Sequence, residues 1–132
     1  MPIKTTYDYM AGVIVYKVIG EISVDDIIDV AGKKFSDPRF SPKMSILWDL
    51  TRGTISGLDS KDMRILARSA SDAWKKVGGP DKIAIVAEQN IDFGLSRMYS
   101  TYAEYYSIDL RVFRSVTDAK KWLFDRSEKV TY

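Results

Sequence analysis

Chemistry in this chain has few places to sit, and the clearest is Asp49. It closes an apolar run, Ile46-Leu47-Trp48-Asp49-Leu50, and is followed by Thr51, Arg52, Thr54 and Ser56 in a loop rich in hydroxyls and glycine. Asp59 and Ser60 then open a long amphipathic stretch. A buried run that ends in a carboxylate and a polar loop reads as a central strand, a connection at its carboxyl end, and a helix. In open α/β sheets the functional crevice lies outside those ends. Asp49 could anchor a polar ligand there, or accept hydrogen bonds from loop amides near Gly53. The second role is the stronger expectation, because backbone groups at sheet ends need partners. Gly53, Gly57 and Gly94 match neither GxxxxGK[ST] nor GxGxxG spacing, so no phosphate-cradling loop is read.

Composition narrows the chemistry further. There is no cysteine and no histidine. Thiol nucleophiles and thiolate metal sites are therefore excluded, and the commonest general base and transition-metal ligand are missing. An enzyme would have to use Asp49 with Lys or Tyr, and no pair of such groups at defined spacing supports one. No catalytic residue, metal site or cofactor is expected. Lys and Arg number 20 against 18 Asp and Glu, a near-balance that leaves no global nucleic-acid footprint. No apolar run approaches a membrane span, and the start, Met1-Pro2-Ile3-Lys4, lacks an apolar signal core. The chain reads as cytoplasmic, with no nucleic-acid partner and no membrane insertion.

The elements that would position Asp49 follow from hydrophobic period. At 132 residues the chain fits one domain, 1–132. Ile3, Thr5, Tyr7 and Tyr9 alternate with polar residues, as on a half-exposed edge strand. Val13 to Ile19 is nearly continuous in apolar, β-branched residues and reads as a more central strand, antiparallel to the first. Ser23 with Asp26 resembles a capping box, and Val24, Ile27, Ile28, Ala31 and Phe35 then recur at helical spacing. Lys33 and Lys34 suit the negative end of that helix, and Asp37-Pro38 stops it. Met44 to Leu50 is the third strand. A helix from Asp59 or Ser60 to about Val77 would bury Met63, Leu66, Ala67, Ala70, Ala73, Trp74 and Val77, and Gly78-Gly79-Pro80 ends it. A strand at Lys82–Ala87, a helix at about 91–106, an edge strand at Asp109–Arg114 and a helix capped by Ser115 complete the order. Arg126 to Tyr132 is expected to be a frayed tail. The class is α/β: a single five-stranded, mostly parallel sheet with an antiparallel first strand and four helices, in the order β-β-α-β-α-β-α-β-α.

This order, with Trp48-Asp49-Leu50, Lys82-Ile83-Ala84-Ile85-Val86, Phe93-Gly94-Leu95-Ser96-Arg97-Met98, Arg111-Val112-Phe113 and Ala119-Lys120-Lys121-Trp122-Leu123, resembles the STAS (anti-sigma-factor antagonist) fold family. The nearest likeness is to small stand-alone bacterial SpoIIAA-like proteins, which are similar in fold to the CRAL-TRIO lobe. The resemblance spans essentially the whole chain. It implies a non-enzymatic regulatory or adaptor domain that binds a protein through Asp49, Thr51, Arg52, Thr54, Ser56, Asp59 and Ser60. In regulatory members the second helix opens with Asp-Ser-Ser/Thr-Gly-Leu, and one hydroxyl accepts phosphate. Here Asp59 and Ser60 match, Lys61 stands at the second hydroxyl, and Asp62 replaces the glycine. Ser60 is thus the phosphoacceptor position, with a helix cap as the competing and favoured role.

An alternative function comes from the third helix. Tyr99, Tyr102, Tyr105 and Tyr106 share a stripe with Ile91, Leu95 and Met98. Such a stripe is usually core packing, but each buried hydroxyl wants a partner. The other reading is a pocket or interface formed by Trp74, Phe93, Met98, Tyr99, Tyr102 and Tyr106, holding a small apolar or amphipathic ligand. Because the second strand is apolar on both faces, a homodimer covering the face left by the helices is a further expectation.

Overall fold

The computed structural model describes residues 2–125. The expected tail, 126–132, lies outside the described residues. Strand β1 (Ile3–Asp8) pairs antiparallel with β2 (Val13–Glu21), and β3 (Ser45–Thr54), β4 (Ile83–Val86) and β5 (Leu110–Phe113) follow in parallel. Spatial order equals chain order, β1-β2-β3-β4-β5. Helices α1 (Val24–Lys33), α2 (Ser60–Val77), α3 (Asn90–Tyr105) and α4 (Val116–Leu123) complete the expected class.

This order dictates where the helices go. Each parallel strand is added on the same side of the last, and right-handed crossovers then place their helices on one face. Ile14, Tyr16, Val18, Ile46, Leu50, Ile83 and Ile85 accordingly share a core with Met63, Leu66 and Trp74 of α2. Helix α4 follows the final strand and packs on the opposite face, where Ala119, Trp122 and Leu123 meet Val13, Leu47, Ala84 and Val86. Strand β4 is buried on both faces, which is why all of Ile83–Val86 is apolar. Of the second-strand residues on the α4 face, Val13 is buried in that cluster and Val15 packs against it, while Ile19 is 47% exposed.

Local signals set the helix ends. Ser23 Oγ accepts the Asp26 amide at 3.1 Å while Asp26 accepts the Ser23 amide at 3.0 Å, a reciprocal cap for α1. Ser115 Oγ accepts the Asp118 amide at 3.1 Å and starts α4. Gly78, at φ 86°, turns the chain out of α2 in a conformation that residues with a Cβ avoid.

Two boundaries differ from the sequence reading. Helix α1 stops at Lys33, and Lys34–Ser36 tightens into a 3₁₀ turn. Strand β3 does not end at Leu50 but runs on to Thr54, paired with Ile19, Gly20 and Glu21 of β2. A bulge makes this continuation feasible: Lys17 pairs with Asp49 and Ile19 with Arg52, so β3 carries one additional residue there. Asp49 is therefore a mid-strand residue. Its Oδ1 accepts the Thr51 amide at 2.9 Å and the Thr51 hydroxyl at 2.7 Å, which satisfies the backbone that the bulge frees. Beyond the bulge Gly53 lies so close to Val18 that a Cβ there would sit 2.5 Å from Val18 Cγ1, so a side chain would push the two strands apart.

Candidate functional site

Between α1 and α2, above the sheet, lies a cavity of about 200 Å³. Its floor is the helix-facing row of the central strands, Ile46, Trp48, Leu50, Ile83 and Ile85. Ile27 and Ala31 form one wall, and Leu66, Ala70, Ala73 and Trp74 form the other. The alanines leave room that larger residues would fill. Trp48 is only half-buried, in a strand whose neighbours are fully buried, because it faces this space. Its indole rests on Tyr16, with ring centroids 4.3 Å apart. Phe35 and Trp74 meet edge to face at 5.5 Å and close one end.

Polar groups at this cavity are few, and among the described residues they lack hydrogen-bond partners. Lys34 lines it and is only 5% exposed. Its ammonium lies 4.5 Å from the Trp74 ring centroid, 4.9 Å from Phe35 and 6.0 Å from Tyr16. Those rings attract a cation but supply no hydrogen-bond acceptor of ordinary strength. Among the described residues no carboxylate or carbonyl pairs with it. Burial lowers its pKa from 10.5 to about 8. Ser96 of α3 lines the same space, and its hydroxyl is buried without a partner. Tyr99 joins it, and burial pushes that phenol up to about 12. The Tyr16 hydroxyl is likewise buried and unpartnered, and desolvation pushes its pKa far above the usual phenol value.

A second locus sits at the carboxyl edge of the sheet. Asp92, 1% exposed in the first turn of α3, accepts the Thr54 hydroxyl at 2.8 Å and the Ile55 amide at 2.9 Å. Thr54 Oγ1 in turn accepts the Ser56 amide at 3.0 Å. These bonds hold the loop between β3 and α2 in one shape. Asp59, not Ser60, caps α2: its carboxylate accepts the Asp62 amide at 2.9 Å, and Asp62 accepts the Asp59 amide at 3.0 Å. The Asp62 amide, with further help from Lys61, holds the Asp59 carboxyl below its ordinary pKa. Ser60 is the first helical residue, exposed, with no bond to its hydroxyl among the described residues. Arg52 and Ser56 are exposed, whereas Thr51 and Thr54 are half-buried.

Of the expected loop residues, Asp49, Thr51, Arg52 and Thr54 belong to β3, Ser56 and Asp59 to the connection, and Ser60 to α2. The expected pocket residues divide. Trp74 and Tyr99 line the cavity, while Phe93, Met98, Tyr102 and Tyr106 do not. Phe93 lies under Arg114, whose guanidinium is 3.9 Å from its ring centroid and donates to the Glu88 carbonyl and to Asn90 Oδ1. Tyr102 lies beneath Arg64 at 5.9 Å. Tyr105 is 83% exposed and forms an edge-to-face pair with Tyr106. The stripe fails as a unit because the face that α3 buries carries Asp92, Ser96 and Ala103, while Ile91, Met98 and Tyr105 are exposed.

Lys34, Trp48, Ser96 and Asp92 were not singled out by sequence reasoning. For Lys34 a signal existed: it lies seven residues after Ile27 and three after Ala31, on the apolar stripe of α1 rather than beside it. For Asp92 no local signal exists, since its partners are 37 and 38 residues away.

Compared with known proteins, the chain matches no family model and no curated protein. Among the described residues no helix is long and apolar enough to cross a membrane, and no group of His, Cys, Asp and Glu is arranged to hold a metal ion.

Proposed function

We propose that this protein is a non-enzymatic binding domain that receives a small amphipathic molecule in the cavity between α1 and α2. The observation that carries this reading is the cavity itself. It is apolar, aromatic, and open at a place where close packing would be expected. Sites for small molecules have this character, mostly apolar walls with a few convergent polar groups. The test is occupancy with a neutral, single-ring polarity-sensitive dye such as 4-(dimethylamino)benzonitrile, read by dye emission and by the fluorescence of Trp48 and Trp74. Ala73→Trp would fill the space and abolish the dye signal while the protein stays folded. Unchanged dye binding in that variant would reject the reading.

A second reading is favoured by the loop locus. The connection from β3 to α2 is fixed by Asp92, and Arg52 in β3, Ser56 in the connection and Ser60 at the start of α2 are exposed. Rigid loops with exposed polar groups suit protein recognition, because little ordering entropy is lost on binding. On this reading the chain is a STAS-like adaptor, supported by its element order and by the gathering of α1 to α3 on one face. The readings separate by variant. Arg52→Glu with Ser60→Glu would release a protein partner without changing dye binding, and Ala73→Trp would do the reverse.

A further inference from the structure

We infer that the cavity ligand is an amphipathic carboxylate, a short-chain aryl or medium-chain alkanoate, whose carboxylate pairs with Lys34 Nζ. This rests on the cavity being a ligand site. Two independent observations support it beyond the cavity's apolar character.

The first is the missing counter-charge. A buried cation is ordinarily paired or coordinated, because removal from water costs several kcal/mol. Among the described residues Lys34 has only the ring faces of Trp74, Phe35 and Tyr16. These orient the ammonium and leave its N–H donors unused. A lysine can escape burial by extending its head to water, yet Lys34 remains 5% exposed and faces the cavity. The second is the Ser96 hydroxyl, buried and unpartnered on a different helix of the same cavity. Two unsatisfied polar groups on the rim of an apolar space suit a ligand with polar atoms and an apolar body.

Size sets the class. A cavity of 150 Å³ holds benzene, and this one is about 200 Å³. A single ring with a short acidic arm, or an acyl chain of similar bulk, fits. A long-chain lipid does not.

The titratable surroundings keep a pH test clean. Burial alone lowers Lys34 to about 8. Tyr16 from β2 and Tyr99 from α3 are both pushed up, so both stay neutral through the range in which Lys34 titrates. Helix α2 presents only Met63, Leu66, Ser69, Ala70, Ala73 and Trp74, none titratable. On α1, Lys33 and Asp29 pair with each other at the surface, 3.4 Å apart.

The experiment compares 4-phenylbutyrate with its neutral analogue 4-phenylbutan-1-ol by calorimetry and by Trp48 and Trp74 fluorescence. The acid is expected to bind wild type more tightly, by about tenfold or more, as a charge-assisted bond implies. Lys34→Met should remove that preference, so that acid and alcohol bind within about threefold of each other. In wild type, acid affinity should fall by about tenfold or more as Lys34 loses its proton above pH 8, with the alcohol unaffected. Equal binding of acid and alcohol, insensitive to pH, overturns the Lys34 pairing while leaving the cavity as a site. Binding of neither probe at millimolar concentration overturns both. Should Lys34→Met not fold, the pH comparison on wild type decides alone.

Discussion

Two buried lysines sit on opposite faces of the same sheet, and they are held in different ways. Lys82, 2% exposed, lies over the Trp122 ring at 5.0 Å and donates to the carbonyls of Trp122 and Asp125 at 2.7 and 2.9 Å. Those carbonyls lie at the end of α4, where the dipole favours a cation, and the Trp122 carbonyl accepts the Asp125 amide at 3.2 Å as well. Lys34 lies over Trp74 at 4.5 Å and has no such acceptor among the described residues. Both residues look alike in sequence, a lysine next to an apolar run. What separates them is whether the fold supplies the second half of the interaction. On the α4 face the chain completes it, and the lysine fastens a helix. On the α1–α2 face the chain leaves it open beside a cavity, and the lysine is available to a ligand.

The largest break of this comparison is Lys82→Met. It removes the donor from two carbonyls at the end of α4, in a face that is otherwise apolar. The Lys82 ammonium makes two hydrogen bonds from a charged group, and such a bond contributes about 1.5–3 kcal/mol. Urea denaturation should show a loss of this order, with α4 amides exchanging first. An unchanged midpoint would mean that Lys82 is a passenger and that the contrast with Lys34 is empty. Asp92→Ala comes next. It strips the Thr54 hydroxyl and the Ile55 amide of their acceptor, which leaves a buried N–H unpaired at about 1–3 kcal/mol. Hydrogen exchange at Ile55 should accelerate more than at β4.

Lys34→Met is expected to act in the opposite direction from Lys82→Met. Replacing an uncompensated buried charge with an apolar side chain of similar volume is neutral or stabilising, by about 1 kcal/mol. The pH profile sharpens this. Below pH 8 both folded and unfolded chains hold the Lys34 proton; between about 8 and 10.5 the unfolded chain keeps it and the folded chain has released it. The unfolded state then binds more protons, so wild-type stability rises with pH across that window. Above 10.0 the sign reverses, because Tyr7, Tyr16 and Tyr99 hold their protons in the fold longer than in the unfolded chain. Denaturation at stepped pH should therefore show a maximum near pH 10 in wild type. Lys34→Met should lose the rise and keep the fall.

The same contrast explains what could be read from sequence. Element order was legible because each cue is local. Ser23 with Asp26, Ser115 with Asp118, and Gly78 act within a few residues, and the β-branched runs declare their strands. The bulge was not legible, because Gly53 and Thr54 look like loop until β2 pairs with them from more than 30 residues away. Nor was the cavity, which depends on how far α1 stands from α2. Lys34 was read with Lys33 as a dipole lysine, although its spacing from Ile27 and Ala31 places it on the apolar stripe, and it lies over Trp74. Asp49 is the intermediate case. That it orders backbone was an expectation from its type, and the bonds it makes are to Thr51 in the bulge rather than near Gly53.

The smallest expected effects lie at the start of α2, where the distinction between completed and open interactions recurs one residue apart. Asp59 accepts the Asp62 amide and is completed by the fold. Asp59→Ala should lower the melting temperature at neutral pH. Because the Asp59 carboxyl is held below its ordinary value of 3.8, the stability it supplies is present above that pH and lost as pH falls through its folded pKa, where variant and wild type should converge. Ser60 has an unused hydroxyl, so Ser60→Ala should change stability by less than about 0.5 kcal/mol. Equal losses from the two variants would make Ser60 part of the cap and remove the free hydroxyl on which any phosphoacceptor role depends. A phosphate on Ser60 would gain from the helix N-terminus but would lie beside the carboxylates of Asp59 and Asp62, which already occupy the first-turn amides. Ser60→Glu should therefore stabilise α2 less than an N-terminal negative charge ordinarily does, and a clear rise in melting temperature for that variant would show that the two carboxylates leave room for an anion.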